Sequence, residues 1–349
     1  MVSKRELGNI YGKKRRLSPL SWLVIGLSIM LVLVFILAIL RVYFQANRLI
    51  NHKSSAFPDV AENAMPVHSQ VSFSSGSDNL LLEGWLFNNK SASFRGNIIF
   101  IHNNSDNRIQ FGLDTADLFK TLSELGFNVL AFDLRNSGRS SGEISTYGYA
   151  EYQDVLAAIE QMHKLTGEKK TILYGVGSGT AAALLAWQDL VNKTTDPENK
   201  DKTDEYNKQI KADDIIGLIL DTPAATPDAY IRADLSQTNL FDRLITAKFI
   251  PTAIRATAGF DGNSNLTSIV SRFTNPILIT RNIPDNKMDP RSIDSLVDER
   301  LRLHPETSTV FETPEEGHIN GFNIDQETYL NQLQKFLDIW FDDIQTTSP

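Results

Sequence analysis

A chain of 349 residues, 42% of them hydrophobic, can bury one domain of roughly 280 to 290 residues, or two small ones, beyond an N-terminal segment. A formal net charge of −8 offers a phosphate backbone no basic surface, so nucleic acid is not expected as a partner. The absence of cysteine excludes a disulfide scaffold, a Cys-ligated zinc site and thiol catalysis.

Residues 1–17 form a basic tail, with Lys4, Arg5, Lys13, Lys14, Arg15 and Arg16 against Glu6. Residues 17–40 carry no charge, and as a helix rising about 1.5 Å per residue they are long enough for a hydrocarbon core of about 30 Å. The basic residues ahead of this run predict a single-pass signal anchor over 18–41, with the N-terminus cytoplasmic and the C-terminal domain outside the cytoplasm. The apolar run is longer than a usual signal-peptide core, and no A-x-A-like cleavage site ends it. An exported domain without cysteine suits a bacterial cell membrane. Residues 42–69 read as a polar stalk with a helical beginning at Tyr43 to Leu49.

From residue 70 to 345 the pattern is that of one domain. Val71 to Ser74 and Leu80 to Phe87 predict an antiparallel pair. Strands follow at Ile98 to His102, Val129 to Asp133, Ile172 to Tyr174, Ile215 to Asp221, Pro276 to Thr280 and Thr307 to Phe311. Between them, Leu113, Ala116, Phe119, Leu122 and Leu125 share a helix face, and helices are predicted over Tyr149 to His163 and Ala181 to Val191. Residues 192–213 are too polar to pack and read as a surface insertion. Residues 224–270 are too long for one crossover helix and suggest a small cap. A last helix carries Leu330, Leu333, Leu337, Trp340 and Phe341 on one face, with Asn323 and Gln326 as its expected cap. Alternating strands and helices predict an α/β fold, a mostly parallel sheet of about eight strands covered on both faces. Ligands in such sheets sit at the C-terminal strand ends.

Thr171 to Thr180 is a short strand, a glycine turn and the start of an alanine-rich helix. This is the pattern of a nucleophile elbow, with small residues at 175 and 179 and Gly177 between them, where a nucleophile would stand. Ser178 follows one residue later. If Ser178 were the apex, Val176 and Thr180 would fill the two positions that the turn keeps small. Gly175, Gly177 and Gly179 lack the further glycine of a dinucleotide turn, and the six histidines show no metal-ligand spacing. Neither a cofactor nor a metal is predicted.

The strand-end motifs, taken in order, resemble those of the α/β-hydrolase superfamily, particularly its membrane-anchored bacterial members in the serine aminopeptidase-like and acyl-hydrolase-like branch. Ile99 to Asn104, with His102, resembles the strand and His-Gly that open the oxyanion loop, Asn103 standing in place of the glycine. Phe132 to Gly142 is similar to the Asp-x-Arg-Gly-x-Gly-x-Ser-x-Gly turn, with Asn136 replacing its first glycine. Leu173 to Gly179 takes the elbow's place, and Leu220 to Pro223 the next strand end. Arg281 to Asp285 and Pro314 to His318 resemble the segments that deliver the triad acid and histidine. The resemblance implies Asp285 as acid, His318 as base, and an oxyanion region of Asn103, Asn104 and the Ser178 N–H.

Three functional readings are open. In the first, Gly177 leaves the protein without a nucleophile, and it binds an acyl, peptidyl or envelope-derived ligand or an envelope protein. In the second it is an ester or amide hydrolase using Ser178 with His318 and Asp285. A structural interaction module with a collapsed cleft remains a third. Ser105, Ser140 and Ser141 are substitute nucleophiles of lower rank, with Ser140 and Ser141 expected to cap backbone groups. Glu315 and Glu316 are expected to be solvated charges beside His318.

Overall fold

The computed structural model describes residues 17–54, 57, 59–76, 79–195, 210–236 and 246–342. Eight strands form one sheet: β1 (Ser69–Ser75), β2 (Leu80–Phe87), β3 (Gly96–Ile101), β4 (Phe127–Phe132), β5 (Thr171–Val176), β6 (Ile215–Asp221), β7 (Ile277–Asn282) and β8 (Ser308–Thr313). Their order is β1-β2-β4-β3-β5-β6-β7-β8. β2 pairs antiparallel with β1 and β4, and every other neighbouring pair is parallel. β3, β4 and β5 are buried at every residue, as central parallel strands covered on both faces must be. The edge strand β1 instead alternates buried and exposed positions along Val71 to Ser75.

Alternation along the strands sends Ile99, Ile101, Leu130, Leu173 and Leu220 to one side, and Ile98, Phe100, Val129, Ile172 and Ile219 to the other. The first side is covered by α4 (Tyr152–Thr166), α5 (Ser178–Thr195), α8 (Leu266–Arg272) and α9 (Pro290–Leu303). The second is covered by α3 (Thr115–Glu124) and α11 (Gln326–Phe341). Strand order reverses between β3 and β5, where Ile101 pairs with Gly175, so the loops leaving both strands open side by side. The short helices α6 (Pro227–Leu235) and α7 (Ile250–Thr257) fall in the segment expected as a cap, and α6 reaches these loops through Tyr230, whose OH meets Thr180 Oγ1 and the Thr222 carbonyl.

Helix α1 (Pro19–Ile50) begins at Ser18, whose side chain accepts the Ser21 N–H, and is long and apolar enough to cross a membrane. It corrects the expected stalk. The helix runs on through residue 50, with Ala46 and Ile50 buried in the domain core. The Ile50 carbonyl accepts hydrogen bonds from the Ser145 N–H (2.7 Å) and from Asn136 Nδ2 (3.1 Å), and Ser54 Oγ accepts one from the Gly138 N–H (2.9 Å). Phe57, Ala61 and Met65 are buried too, the last two on or beside α2 (Asp59–Ala64).

Three smaller differences have local causes. The last helix is capped by Asp325, which accepts the Thr328 N–H, instead of by Asn323 and Gln326. Asn323 lies in a separate turn, α10 (Gly321–Ile324). Helix α9 was not anticipated, although Asp289 caps it, Pro290 starts it and Ile293, Leu296, Val297 and Arg300 form its buried stripe. Most of the insertion expected at 192–213, residues 196–209, lies outside the described residues, and Ile210 beyond it is buried.

Candidate active site

The chain turns from β5 into α5 through one residue, Gly177, at φ +54°. Its N–H donates to the Asp221 carbonyl (2.9 Å) at the end of β6, and its carbonyl accepts from Thr180 N–H (3.0 Å) and Thr180 Oγ1 (2.7 Å). A methyl group on Gly179 would strike the Ile101 carbonyl, and one on Gly175 would lie 2.7 Å from Thr180 Cα. The small residues therefore sit where two backbones cross, and the apex between them is Gly177. Ser178 is the first residue of the helix.

Ser178 is buried, and its contacts are with the loop after β3. Its Oγ accepts the Asn104 N–H (2.8 Å), while its own N–H donates to Asn103 Oδ1 (3.1 Å). The Oγ also lies 3.3 Å from Asn103 Oδ1, so its proton has an acceptor there. It lines a small recess with Asn104, Arg135, Tyr147 and Glu151, to which His318 does not contribute. The two N–H groups of the expected oxyanion region, those of Ser178 and Asn104, are thus satisfied inside the protein. Asn103 is itself held, its Nδ2 donating to the Asn104 carbonyl (3.0 Å) and to Asp106 Oδ2 (3.2 Å), and its N–H to Gln110 Oε1 (2.7 Å). No feature of the sequence announces this plug, because the asparagine and the bend it fills are 75 residues apart.

Asp285 and His318 come together as paired loops. Asp285 Oδ2 accepts from His318 Nδ1 (2.8 Å), and its Oδ1 accepts the N–H groups of Lys287 (2.9 Å) and Met288 (2.8 Å). The Gly317 N–H bonds the Pro284 carbonyl, and the Asn286 N–H the Gly317 carbonyl. This is the geometry of an oriented imidazole, whose Nδ1–H is fixed by a carboxylate. Ile319, next to His318, covers the apex, since a methyl group on Gly177 would lie 2.6 Å from its Cδ1 and would strike the Asn103 amide.

A further acid was not foreseen as part of the site. Asp221, buried at the end of β6, accepts from Tyr329 OH (2.8 Å) and Thr222 Oγ1 (2.9 Å), and Tyr329 OH meets Tyr174 OH at 2.7 Å. Burial raises its pKa above the usual carboxylate range, and the hydroxyl donors oppose that rise. Tyr329 is buried on α11, next to the predicted apolar face, which did not include it. Of the substitute nucleophiles, Ser140 donates to the Asp133 carbonyl (2.6 Å) and accepts the Glu83 N–H (3.0 Å), a backbone-bridging role. Ser105 Oγ receives Asn104 Nδ2 (3.2 Å), and Ser141 is exposed and pairs through its backbone with Leu81. Glu315 and Glu316 are exposed.

His102 fixes the root of the oxyanion loop. Its Nε2 accepts the Leu134 N–H (2.9 Å), so Nδ1 carries the proton and donates to the Asn103 carbonyl (2.7 Å). Burial lowers its pKa and holds the ring neutral. The unfolded chain therefore binds a proton that the folded chain refuses. The stabilisation is complete above about pH 6.5, the ordinary histidine value, and declines below it by up to about 1.4 kcal/mol per pH unit. Urea midpoints measured from pH 7.5 to 5 should fall accordingly, and H102N should flatten part of the slope. His163, also lowered by burial, contributes with the same sign.

A family model described as the alpha/beta hydrolase fold matches residues 96–194. Lysophosphatidylserine lipase ABHD12 of Gallus gallus is 31% identical over 101 residues, 29% of this chain and 26% of that protein. The protein of the same name from Mus musculus is 28% identical over 123 residues, 35% of this chain and 29% of its own length. The match thus spans little more than a quarter of these curated relatives. Among solved structures, the Pyrococcus furiosus esterase Pf2001 superposes with a TM-score of 0.62 at 16% identity, covering 84% of this chain and all of that one. The α/β hydrolase GrgF from Penicillium sp. sh18 gives 0.53 at 17% identity over 79% of this chain. At such identities the structural likeness is one of fold: the sheet order, the bend after β5 and the partial family match together show an α/β-hydrolase fold.

Proposed function

We propose that this is a single-pass membrane protein whose α/β-hydrolase domain lies outside the cytoplasm and binds a single-chain acyl amphiphile without efficient hydrolysis. The observation that carries the reading is the Ser178 N–H bonded to Asn103 Oδ1, beside an apex with no side chain. A tetrahedral intermediate needs an attacking oxygen and at least one N–H aimed at the developing oxyanion. An apex without an oxygen and a Ser178 N–H already taken by Asn103 Oδ1 support impaired hydrolysis. The ligand class rests on a groove beside Asp285, with Ala229, Ala233 and Met288 as apolar lining and Arg232 and Lys287 facing it together with Asp285 and Asp289. An acyl chain with a polar headgroup bearing both charges suits that mixture, and the named relatives are lipases of a lysophospholipid.

The intact Asp285–His318 pair favours a second reading, a slow ester hydrolase using Ser178. Reaction of the purified full chain with a fluorophosphonate probe separates the two. No labelling at Ser178, together with saturable binding of a fluorescent lysophospholipid, is the expected result. Labelling that disappears in S178A and weakens in H318A would establish the second reading and overturn the first.

A further inference from the structure

The charge-free part of α1 has the dimensions of a bilayer core. From Pro19 to Leu40 it rises about 33 Å, against a hydrocarbon thickness of about 30 Å. Exposed aromatic residues mark both ends, Trp22 at 63% exposure and Tyr43 at 60%, separated by about 32 Å along the axis. Past Tyr43 the helix enters a rigid junction with the domain. The buried positions of α1, Ala46 and Ile50, and the half-buried Val42 and Leu49, all lie within the last turns, where the helix packs against α7 and the turn at 246–248. The hydrogen bonds to the Ile50 carbonyl and Ser54 lock the same end.

A junction of this kind fixes the height of the cap above the membrane. Val42 to Ile50 spans only about 12 Å beyond the apolar run, and the headgroup layer itself takes about 5–8 Å of that. α7, packed on these turns, therefore lies at or close to the headgroup layer. At its start stands Phe249, 60% exposed, beside the exposed Lys248, an apolar ring and a cation of the kind that interfacial segments present to lipid. Ile250, Pro251 and Ile254 of the same helix face the core, so Phe249 is not part of that packing.

We propose that the cap is a second membrane contact: Phe249 and Lys248, carried by the α1–α7 junction, sit in the headgroup layer of the bilayer that α1 crosses. The inference rests on α1 being a span. It also gives the cleft a supply route, since the cap helix α6, whose Tyr230 OH meets Thr180 Oγ1 (2.6 Å) behind the elbow, packs on α7. An amphiphile leaving the bilayer surface would meet the cap first.

Because the chain has no cysteine, single probes can be placed without background. The full chain carrying F249C, K248C, V32C or I339C would be labelled with bimane and reconstituted into vesicles with and without a lipid bearing a shallow nitroxide, position 32 being read instead against a lipid with its nitroxide near the end of the acyl chain. Position 339 is 61% exposed on α11, across the sheet from the cap, and position 32 lies mid-span. Quenching at 249 and 248 should exceed that at 339 by at least about twofold, with 32 quenched as well. Quenching at 32 with 249 and 248 no different from 339 overturns the cap contact alone. Absence of quenching at 32 removes the span, and the proposal with it. Shielding at 249 that vanishes on dilution and ignores the nitroxide would assign the surface to a second copy and also overturn it.

Discussion

The double substitution N103G/G177S is expected to hydrolyse p-nitrophenyl butyrate at least about 100-fold faster than G177S alone, because one oxyanion donor is worth about 10²–10³ in rate. A serine introduced at the apex brings a hydroxyl to the bend, but its Cβ would strike the Asn103 amide and press on Ile319. It would also hold a non-glycine residue at φ +54°, at a cost of about 1–2 kcal/mol. While Asn103 Oδ1 keeps the Ser178 N–H, the new alcohol has a base in His318 and nothing to receive the oxyanion. Removing the asparagine side chain frees that N–H and clears the space together. In the double variant H318A should abolish the gain, which ties it to the Asp285–His318 pair. If G177S alone matched the double variant, Asn103 would not be the obstruction. If neither hydrolysed the ester while both stayed folded, the histidine would not be poised for an apex nucleophile.

The fold was legible because its information is local and repeated. Apolar runs such as Ile98 to Ile101 and Ile172 to Tyr174 announce strands buried on both faces, and glycines at 175 and 179 announce the backbone crossing around 177. The Asp285–His318 contact was legible through the ordered strand ends. What the sequence hid depends on pairs distant along the chain. Asn103 looks like a tolerated replacement for glycine until the loop after β3 is laid against the bend after β5. The docked end of α1 was partly on view, since Val42, Ala46, Leu49 and Ile50 keep a helical period, but the polar residues from Asn51 to Ser55 hid that the chain beyond it packs on the domain. Helix α9 was different, since its Asp-Pro start and its stripe from Ile293 to Arg300 were on view. The cap of α11 failed for a subtler reason. Asp325 interrupts the helix at φ −141°, ψ 78°, moving the start two residues past the expected Asn323.

Replacing Arg108 with methionine should destabilise the domain by about 3–5 kcal/mol, a large part of the stability of an ordinary domain. Arg108 and Asp133 are both wholly buried, with Arg108 Nη2 at 2.7 Å from Asp133 Oδ2. The carboxylate has other donors, the N–H groups of Arg108 (2.9 Å) and Arg139 (2.8 Å), but among the described residues no second buried cation at hydrogen-bond distance. The guanidinium's remaining nitrogens make no hydrogen bond, and the group lies 4.8 Å from the Trp85 ring centroid and 5.4 Å from that of Phe57. Its charge is therefore balanced by one carboxylate and two aromatic faces. Removing the cation leaves Asp133 ionised without a counter-charge, and D133N alone leaves the cation in the same position. Because each single change strands the partner, the R108M/D133N double should be less damaged than the sum of the two, with a coupling of at least about 1.5 kcal/mol in urea unfolding. Additivity within about 0.5 kcal/mol would show that the aromatic contacts, and not the ion pair, hold this turn. The outcome bears on the site as well, because Asp133 follows β4 directly and Leu134 supplies the N–H that fixes the tautomer of His102. A loosened turn should therefore also reduce the pH slope attributed to His102, linking the buried pair to the loop that carries Asn103.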